Sequence, residues 1–254
     1  MLDFISSMCY NQTKRTRKSV NLATDVILKE IIMINANENT VSSKNQLPVS
    51  SSIYYLGCED APKRLLIVGN SITRHAPSAK LGWFGDWGMA ASAKENDFVH
   101  VLEKMLEEAG INVLIKVHQL ATWERGHTAP DALEVLSEDR EFNADALLFR
   151  LGENVNDGTD FRQHLSEFVD YICPNGKAVF TTTVWAKEGI TDAIASVAEE
   201  RGEPLVELYD IGRNEKYMAI GQYEHKGVAM HPSDAGMKFI AESVLPYLIN
   251  ILKD

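Results

Sequence analysis

This 254-residue chain contains a serine, an asparagine and a histidine that together can carry out acyl transfer. The first two follow predicted strands, and the third precedes a predicted helix. Ser71 comes shortly after the apolar run 65–68, Asn154 after the apolar run 146–149, and His231 just before the last predicted helix. A hydroxyl nucleophile, an imidazole that takes its proton and a donor facing the developing oxyanion are what acyl transfer needs. These residue types therefore predict nucleophilic chemistry, provided that the fold brings them together.

From residue 64 onward the chain alternates between predicted strands and predicted helices. Apolar or β-branched runs predict five strands, at 65–68, 113–117, 146–149, 178–184 and 205–208. Apolar residues at helical spacing, and Pro or Gly at the ends, predict helices at 97–109, 130–136, 161–172, 190–200 and 234–251. This alternation predicts a three-layer α/β/α sandwich with a mostly parallel, about five-stranded flavodoxin-like sheet. Ligands of such sheets bind beyond the carboxyl ends of the strands, where Ser71, Asn154 and His231 fall.

The first sixty residues differ from the rest of the chain. Residues 19–34 are apolar enough for a helix or a pair of strands, whereas residues 35–52 are rich in Asn and Ser, as in a linker. Polar tracts of this kind rarely pack a core. We therefore predict an N-terminal arm over residues 1–60 and a catalytic domain over residues 61–254.

Charge and cysteine content narrow the classes of partner. The formal net charge of −11 argues against nucleic acid, which needs a basic face. Three cysteines, Cys9, Cys58 and Cys173, lie too far apart for a recognisable disulfide framework or paired metal site. The histidines show no ligand spacing, so we expect neither a metal nor another cofactor.

The sequence also bears on location. Its N-terminus lacks the pattern of a signal peptide, and no apolar run approaches the roughly 18 residues that a membrane helix needs. We therefore predict a cytoplasmic protein without a membrane partner, acting on a small-molecule or glycan ester. Nothing in the sequence indicates the oligomeric state.

Three short blocks resemble those of the SGNH hydrolases, the GDSL-type esterases and lipases. They are Gly69-Asn70-Ser71-Ile72, Gly152-Glu153-Asn154 and His231-Pro232, and they occur in the family's order over roughly residues 64–251.

This resemblance implies a serine ester hydrolase of the fold predicted above. It implies that Ser71 is the nucleophile and an oxyanion donor through its backbone N–H, that Asn154 is a second donor, and that His231 is the base. The family's glycine donor follows the second strand; Gly126 is the candidate for it, and Gly88 is the rival.

The sequence departs from the family pattern at three places. Asn70 replaces an aspartate, Val155 replaces another, and Val228 stands where the triad acid would precede the histidine by three residues. A Ser–His pair still works if another group fixes the imidazole tautomer, such as a backbone carbonyl that accepts from Nδ1. We therefore predict a dyad of Ser71 and His231, with Glu224 and Asp234 as the alternative orienting groups.

Candidate substrate-binding residues lie at the same edge of the predicted sheet: Trp83, Trp87, Trp123, Glu124 and Trp185. Aromatic faces can stack on sugar rings, which favours a carbohydrate O-acetyl esterase, but tryptophans equally often cover the seams between helices and sheet.

Three other classes remain open. A lipase or thioesterase would share the chemistry, although no lid-like apolar helix is evident. A degenerate hydrolase fold that only binds carbohydrate would explain the missing acid. A flavodoxin-like nucleotide binder is disfavoured because the segment after the first strand has no phosphate-loop pattern.

Overall fold

A six-stranded β-sheet forms the middle layer of the computed structural model, which describes residues 52–253. The strands are β1 (Ile53–Gly57), β2 (Lys63–Gly69), β3 (Val113–Gln119), β4 (Ala146–Arg150), β5 (Lys177–Thr181) and β6 (Leu205–Val206). They lie in the order β1-β3-β2-β4-β5-β6, with β1 antiparallel to β3 and all other neighbours parallel. Without β1, this is the 2-1-3-4-5 order of a flavodoxin-like sheet.

Helices cover both faces of this sheet. They are α1 (Phe98–Glu108), α2 (Ala121–Gly126), α3 (Ser137–Phe142), α4 (Phe161–Ile172), α5 (Glu188–Arg201), α6 (Tyr209–Arg213), α7 (Lys226–Ala229) and α8 (Asp234–Lys253). The apolar faces of α1 and α8 pack on one side of the sheet, and those of α4 and α5 on the other. The predicted three-layer α/β/α sandwich is confirmed.

The central strand β2 shows why its sequence is a continuous apolar run. Successive side chains of a strand point to opposite faces, so a strand covered on both faces must be apolar throughout. Leu65 and Ile67 belong to the core on the α1 and α8 side, and Leu66 and Val68 to the core on the α4 and α5 side. All four side chains are completely buried.

The edge strand β1 was not predicted. Its residues, Ile53–Gly57, lie within the segment 1–60 that the sequence assigned to an arm, yet they pair with β3 and add the sixth strand. The predicted helix or strand pair at 19–34 lies outside the described residues, as does the rest of 1–51.

Other boundaries also differ from the prediction. The fourth predicted strand, at 178–184, ends at Thr181. The helix predicted at 130–136 is replaced by a 3₁₀ turn at Glu134–Leu136 that leads into α3. The fifth predicted strand stops at Val206, because the Leu208 N–H donates to the Thr182 hydroxyl at 2.8 Å and leaves the ladder.

Within residues 52–253, α8 is long and apolar enough to cross a membrane by length and composition alone. The sequence analysis found no such run because charged residues interrupt it. One face of α8, which includes Met237, Ile240 and Val244, is completely buried in the core beside α1. Core helices of globular domains pass the same test of length and composition.

Candidate active site

The carboxyl ends of β2, β3 and β4 meet at one edge of the sheet, beside a cavity of about 240 Å³. Its lining residues come from the segments that follow these strands and from the stretch before α8: Ser71, Leu81, Met89, Gln119, Ala121, Arg125, Asn154, His225, Gly227 and His231. The structure thus brings the three residues singled out by the sequence to one cavity.

Ser71 and His231 are in hydrogen-bond contact across this cavity. Ser71 Oγ lies 2.8 Å from His231 Nε2, and His231 Nδ1 lies 2.7 Å from the carbonyl oxygen of Gly227. A carbonyl oxygen only accepts, so Nδ1 carries the proton and Nε2 of the neutral ring accepts from the serine hydroxyl. This is the tautomer that a general base for Ser71 requires.

Neither acid considered from the sequence orients the imidazole. The Asp234 carboxylate accepts from the Ser92 backbone N–H at 2.8 Å and from its hydroxyl at 2.6 Å, which ties the start of α8 to that loop. Glu224 is exposed to solvent. The Gly227 carbonyl, four residues before His231 and within α7, holds Nδ1 instead.

The environment of His231 keeps its ring neutral. Burial lowers the pKa of His231 to about 4, the nearby His75 and Arg150 act in the same direction, and the hydrogen bond to Gly227 opposes them. The Trp185 ring covers the imidazole edge-on, with ring centroids 5.5 Å apart. The unprotonated base is therefore present across the neutral pH range.

A buried carboxylate beneath the cavity holds the loop that carries Asn154. Glu124 is completely buried and accepts four N–H hydrogen bonds. They come from the Gly152 backbone at 2.6 Å, the Asn154 backbone at 3.2 Å, the Asn154 amide at 2.6 Å and the Asn70 amide at 3.1 Å. Because an amide has two N–H groups, the bond to Glu124 fixes the direction of the second one on Asn154.

Gly152 makes this loop possible. Its φ of 137° lies in a region that side-chain-bearing residues rarely adopt, and an added Cβ would lie 2.7 Å from the Thr183 methyl group. The close approach lets the Gly152 N–H reach Glu124.

A second carboxylate, that of Glu153, meets the first through Asn70. The Asn70 amide donates to Glu153 at 2.6 Å, while Arg150 donates to Glu153 at 2.6 Å and to the Asn70 side-chain oxygen at 3.1 Å. Burial raises the pKa of Glu124, and the charge of Glu153 adds to that shift. An aspartate at position 70 would lack the donor and place a third carboxylate here, so an asparagine suits this buried position better.

Most of the substrate-binding residues predicted from the sequence serve the core instead. Glu124 is completely buried, Trp83 and Trp123 are each only 3% exposed, and none of the three lines the cavity. The structure does not bring these three side chains to the predicted site, because the tryptophans cover seams between elements and Glu124 accepts N–H groups from the surrounding loops. Trp87 donates its indole N–H to the Ala91 carbonyl at 3.0 Å, and Trp185 packs against His231.

The packing of the two buried tryptophans shows what they cover. Trp123 packs against Phe168 of α4, with ring centroids 4.1 Å apart. Trp83 donates its indole N–H to the His75 carbonyl at 2.9 Å and contacts the Trp87 ring edge-on at 5.7 Å.

Neither candidate glycine offers its N–H to the cavity. Gly126 is the last residue of α2, where the backbone N–H is used within the helix, and the Gly88 N–H donates to Asp97 at 3.0 Å. Ala121, two residues after β3, lines the cavity, and its N–H contacts the Gln119 side-chain oxygen at 3.3 Å. The third oxyanion donor that the resemblance implies therefore stays without an assigned residue among those that line the cavity.

Comparisons with known proteins were made for the sequence and for the fold. No protein-family model matches the sequence, and no curated protein matches it. In fold, the chain resembles solved structures of GDSL-family proteins and of carbohydrate esterases.

A family two carbohydrate esterase from Cellvibrio japonicus is 11% identical, with 76% of this chain and 62% of that chain covered and a TM-score of 0.44. A member of the lipolytic protein G-D-S-L family from Veillonella parvula DSM 2008 is 13% identical, with 74% and 98% covered and a TM-score of 0.47. A family two carbohydrate esterase from Clostridium thermocellum in complex with cellohexaose is 13% identical, with 77% and 66% covered and a TM-score of 0.48.

We expect the His231 imidazole to titrate near pH 4, well below the ordinary histidine value of about 6.5, because its charged form is buried beside other positive groups. The ring resonances followed by NMR between pH 3 and pH 8 test this, and their loss in His231→Gln assigns them. A midpoint at or above pH 6.5 would contradict the account of the site.

Proposed function

We propose that this protein is a serine esterase that transfers a short acyl group from an ester to Ser71 and then to water. The observation that carries the proposal is the 2.8 Å contact between Ser71 Oγ and His231 Nε2, on the wall of a cavity that Asn154 also lines. A hydroxyl in contact with a neutral imidazole is an activated nucleophile, and an amide donor beside it suits a developing oxyanion.

In the first half of the reaction, His231 Nε2 takes the hydroxyl proton while Ser71 Oγ bonds to the ester carbonyl carbon. The carbonyl π electrons move onto its oxygen, which the backbone N–H of Ser71 and the side-chain amide of Asn154 stabilise. When the carbonyl re-forms, the bond to the alcohol oxygen breaks, and His231 gives its proton to the departing alcohol. In the second half, water repeats the attack with His231 again as base, and the acid leaves as Ser71 is restored.

The missing side-chain acid does not favour a non-catalytic binding module. The Gly227 carbonyl, 2.7 Å from His231 Nδ1, fixes the ring tautomer and orientation, which are the main tasks of the acid in a triad. The carbonyl dipole also stabilises the imidazolium that forms during each half-reaction.

The size of the cavity favours a short acyl group such as acetyl. At about 240 Å³ it is smaller than the roughly 300–1,000 Å³ typical of pockets for drug-sized ligands. The finer proposal, an O-acetyl group carried by a carbohydrate, is supported by the partly buried ring of Trp185 beside His231, since aromatic rings stack on sugars.

Turnover of 4-nitrophenyl acetate tests the proposal directly. We expect the parent protein to hydrolyse it and Ser71→Ala to lose that activity, because the nucleophile is gone. Glu224→Ala is the matched control and should keep full activity, since Glu224 is exposed and does not contact the imidazole. An inactive parent protein, or activity that survives in Ser71→Ala, would refute the proposal, and a thousandfold loss in Glu224→Ala would refute the acid-free dyad.

A second prediction concerns the support of Asn154. Asn154→Ala should lower kcat by about 10²–10³, as the loss of an oxyanion donor does elsewhere. Glu124→Gln should also lower kcat. The glutamine amide would put an N–H group where a carboxylate oxygen now accepts, and this N–H would face the N–H groups of Gly152 or Asn154 without an acceptor between them. If Glu124 acts by positioning Asn154, the double variant is hardly slower than Asn154→Ala alone.

The exposed Glu107 of α1 supplies the control for this experiment, and Glu107→Gln should leave kcat unchanged. Losses that multiply in the Glu124 and Asn154 double variant would contradict a positioning role for Glu124.

A further inference from the structure

The cavity beside Ser71 differs in charge from the protein as a whole. The protein has a formal net charge of −11, yet the residues that line the cavity include Arg125, His225 and His231 and no aspartate or glutamate. The nearest carboxylate from α2, that of Glu124, lies completely buried beneath the cavity and accepts four N–H groups. Because the His231 ring is neutral, Arg125 is the permanently charged residue among those that line the cavity.

Arg125 supplies this charge from α2. Ala121 and Arg125 are four residues apart in α2, so they share one face of the helix, and both line the cavity. The Arg125 side chain is partly buried, and its charge is among the influences that lower the pKa of the neighbouring His75, after burial. A guanidinium remains charged when buried, and although the buried Glu124 carboxylate acts on it, its positive charge attracts a substrate carboxylate that enters the cavity.

We propose that Arg125 selects esters that carry a carboxylate close to the scissile bond, such as monoesters of dicarboxylic acids or acylated hydroxy acids. This proposal rests on the proposed esterase function and names its substrate class. A hydrogen bond to a charged group in a partly buried site corresponds to a preference of about 10- to 100-fold over a neutral ester of the same shape.

Arg125 has an alternative role that predicts a different result. If its guanidinium stabilised the oxyanion, removing it would slow neutral and anionic esters by the same factor, because every ester develops the same oxyanion. If Arg125 instead selects a carboxylate, removing it slows only the anionic esters, so the ratio of kcat/KM between anionic and neutral esters changes.

The experiment compares kcat/KM within two matched pairs of esters. The first pair, 4-acetoxybenzoate and 4-acetoxybenzamide, places the charge on the alcohol side; the second pair, monomethyl succinate and methyl butyrate, places it on the acyl side. We expect the anionic member to be preferred about 10- to 100-fold in at least one pair. That preference should disappear in Arg125→Gln, persist in part in Arg125→Lys and shrink as salt is added. Arg140→Gln, which changes an exposed arginine of α3, is the control and should retain the parent ratio.

Binding to Ser71→Ala, measured by calorimetry with the same pairs, separates selection from catalysis. If Ser71→Ala binds an anionic ester more tightly than its neutral partner, and the Ser71→Ala, Arg125→Gln double variant does not, selection of a carboxylate by Arg125 is supported even if the parent protein turns over no ester. No anionic preference in either pair, or an equal loss for neutral and anionic esters in Arg125→Gln, would overturn it. Failure of the esterase function itself appears separately, as a parent protein that turns over no ester or as turnover of the neutral esters that does not depend on Ser71.

Discussion

The hydrogen bonds accepted by the buried carboxylate of Glu124 are the constraint on which the rest of the site depends. Removing a carboxylate from water is costly, and four N–H groups offset that cost by donating to it. These donors come from both sides of the catalytic edge: Asn70, which adjoins Ser71, and the loop of Gly152 and Asn154. Ser71 and Asn154 therefore share one rigid anchor, so the proposed reaction needs little rearrangement when charge develops on the substrate oxygen.

The base is held by an independent anchor. His231 folds back onto the turn that precedes it and donates to the Gly227 carbonyl, so its orientation does not depend on Glu124. Its low pKa keeps the ring neutral, yet also makes it a weak base for the serine hydroxyl.

Sequence patterns predicted the parts of this account that follow from periodicity. The apolar runs of β2 and β4 are buried on both faces, so the parallel strands and the edge at which Ser71 and Asn154 lie were predictable. The antiparallel strand β1 was missed because it follows a polar tract and gains its stability from pairing with β3.

Burial that depends on distant contacts was not predictable. Glu124 follows a strand, as a solvent-facing residue would, and becomes buried only because Asn70 and the loop after β4 surround it. Tryptophans 83 and 123 were expected at the substrate for the same reason. The two candidate glycines were equally hard to judge, since only the folded chain shows that the Gly88 N–H donates to Asp97 and that Gly126 ends α2. The measurement that tests the central claim most directly is the intact mass of the protein after acid quenching during turnover of 4-nitrophenyl acetate. We predict a mass increase of one acetyl group, located to Ser71 by peptide mapping and absent in Ser71→Ala; turnover with no acetyl group on Ser71 would contradict the account.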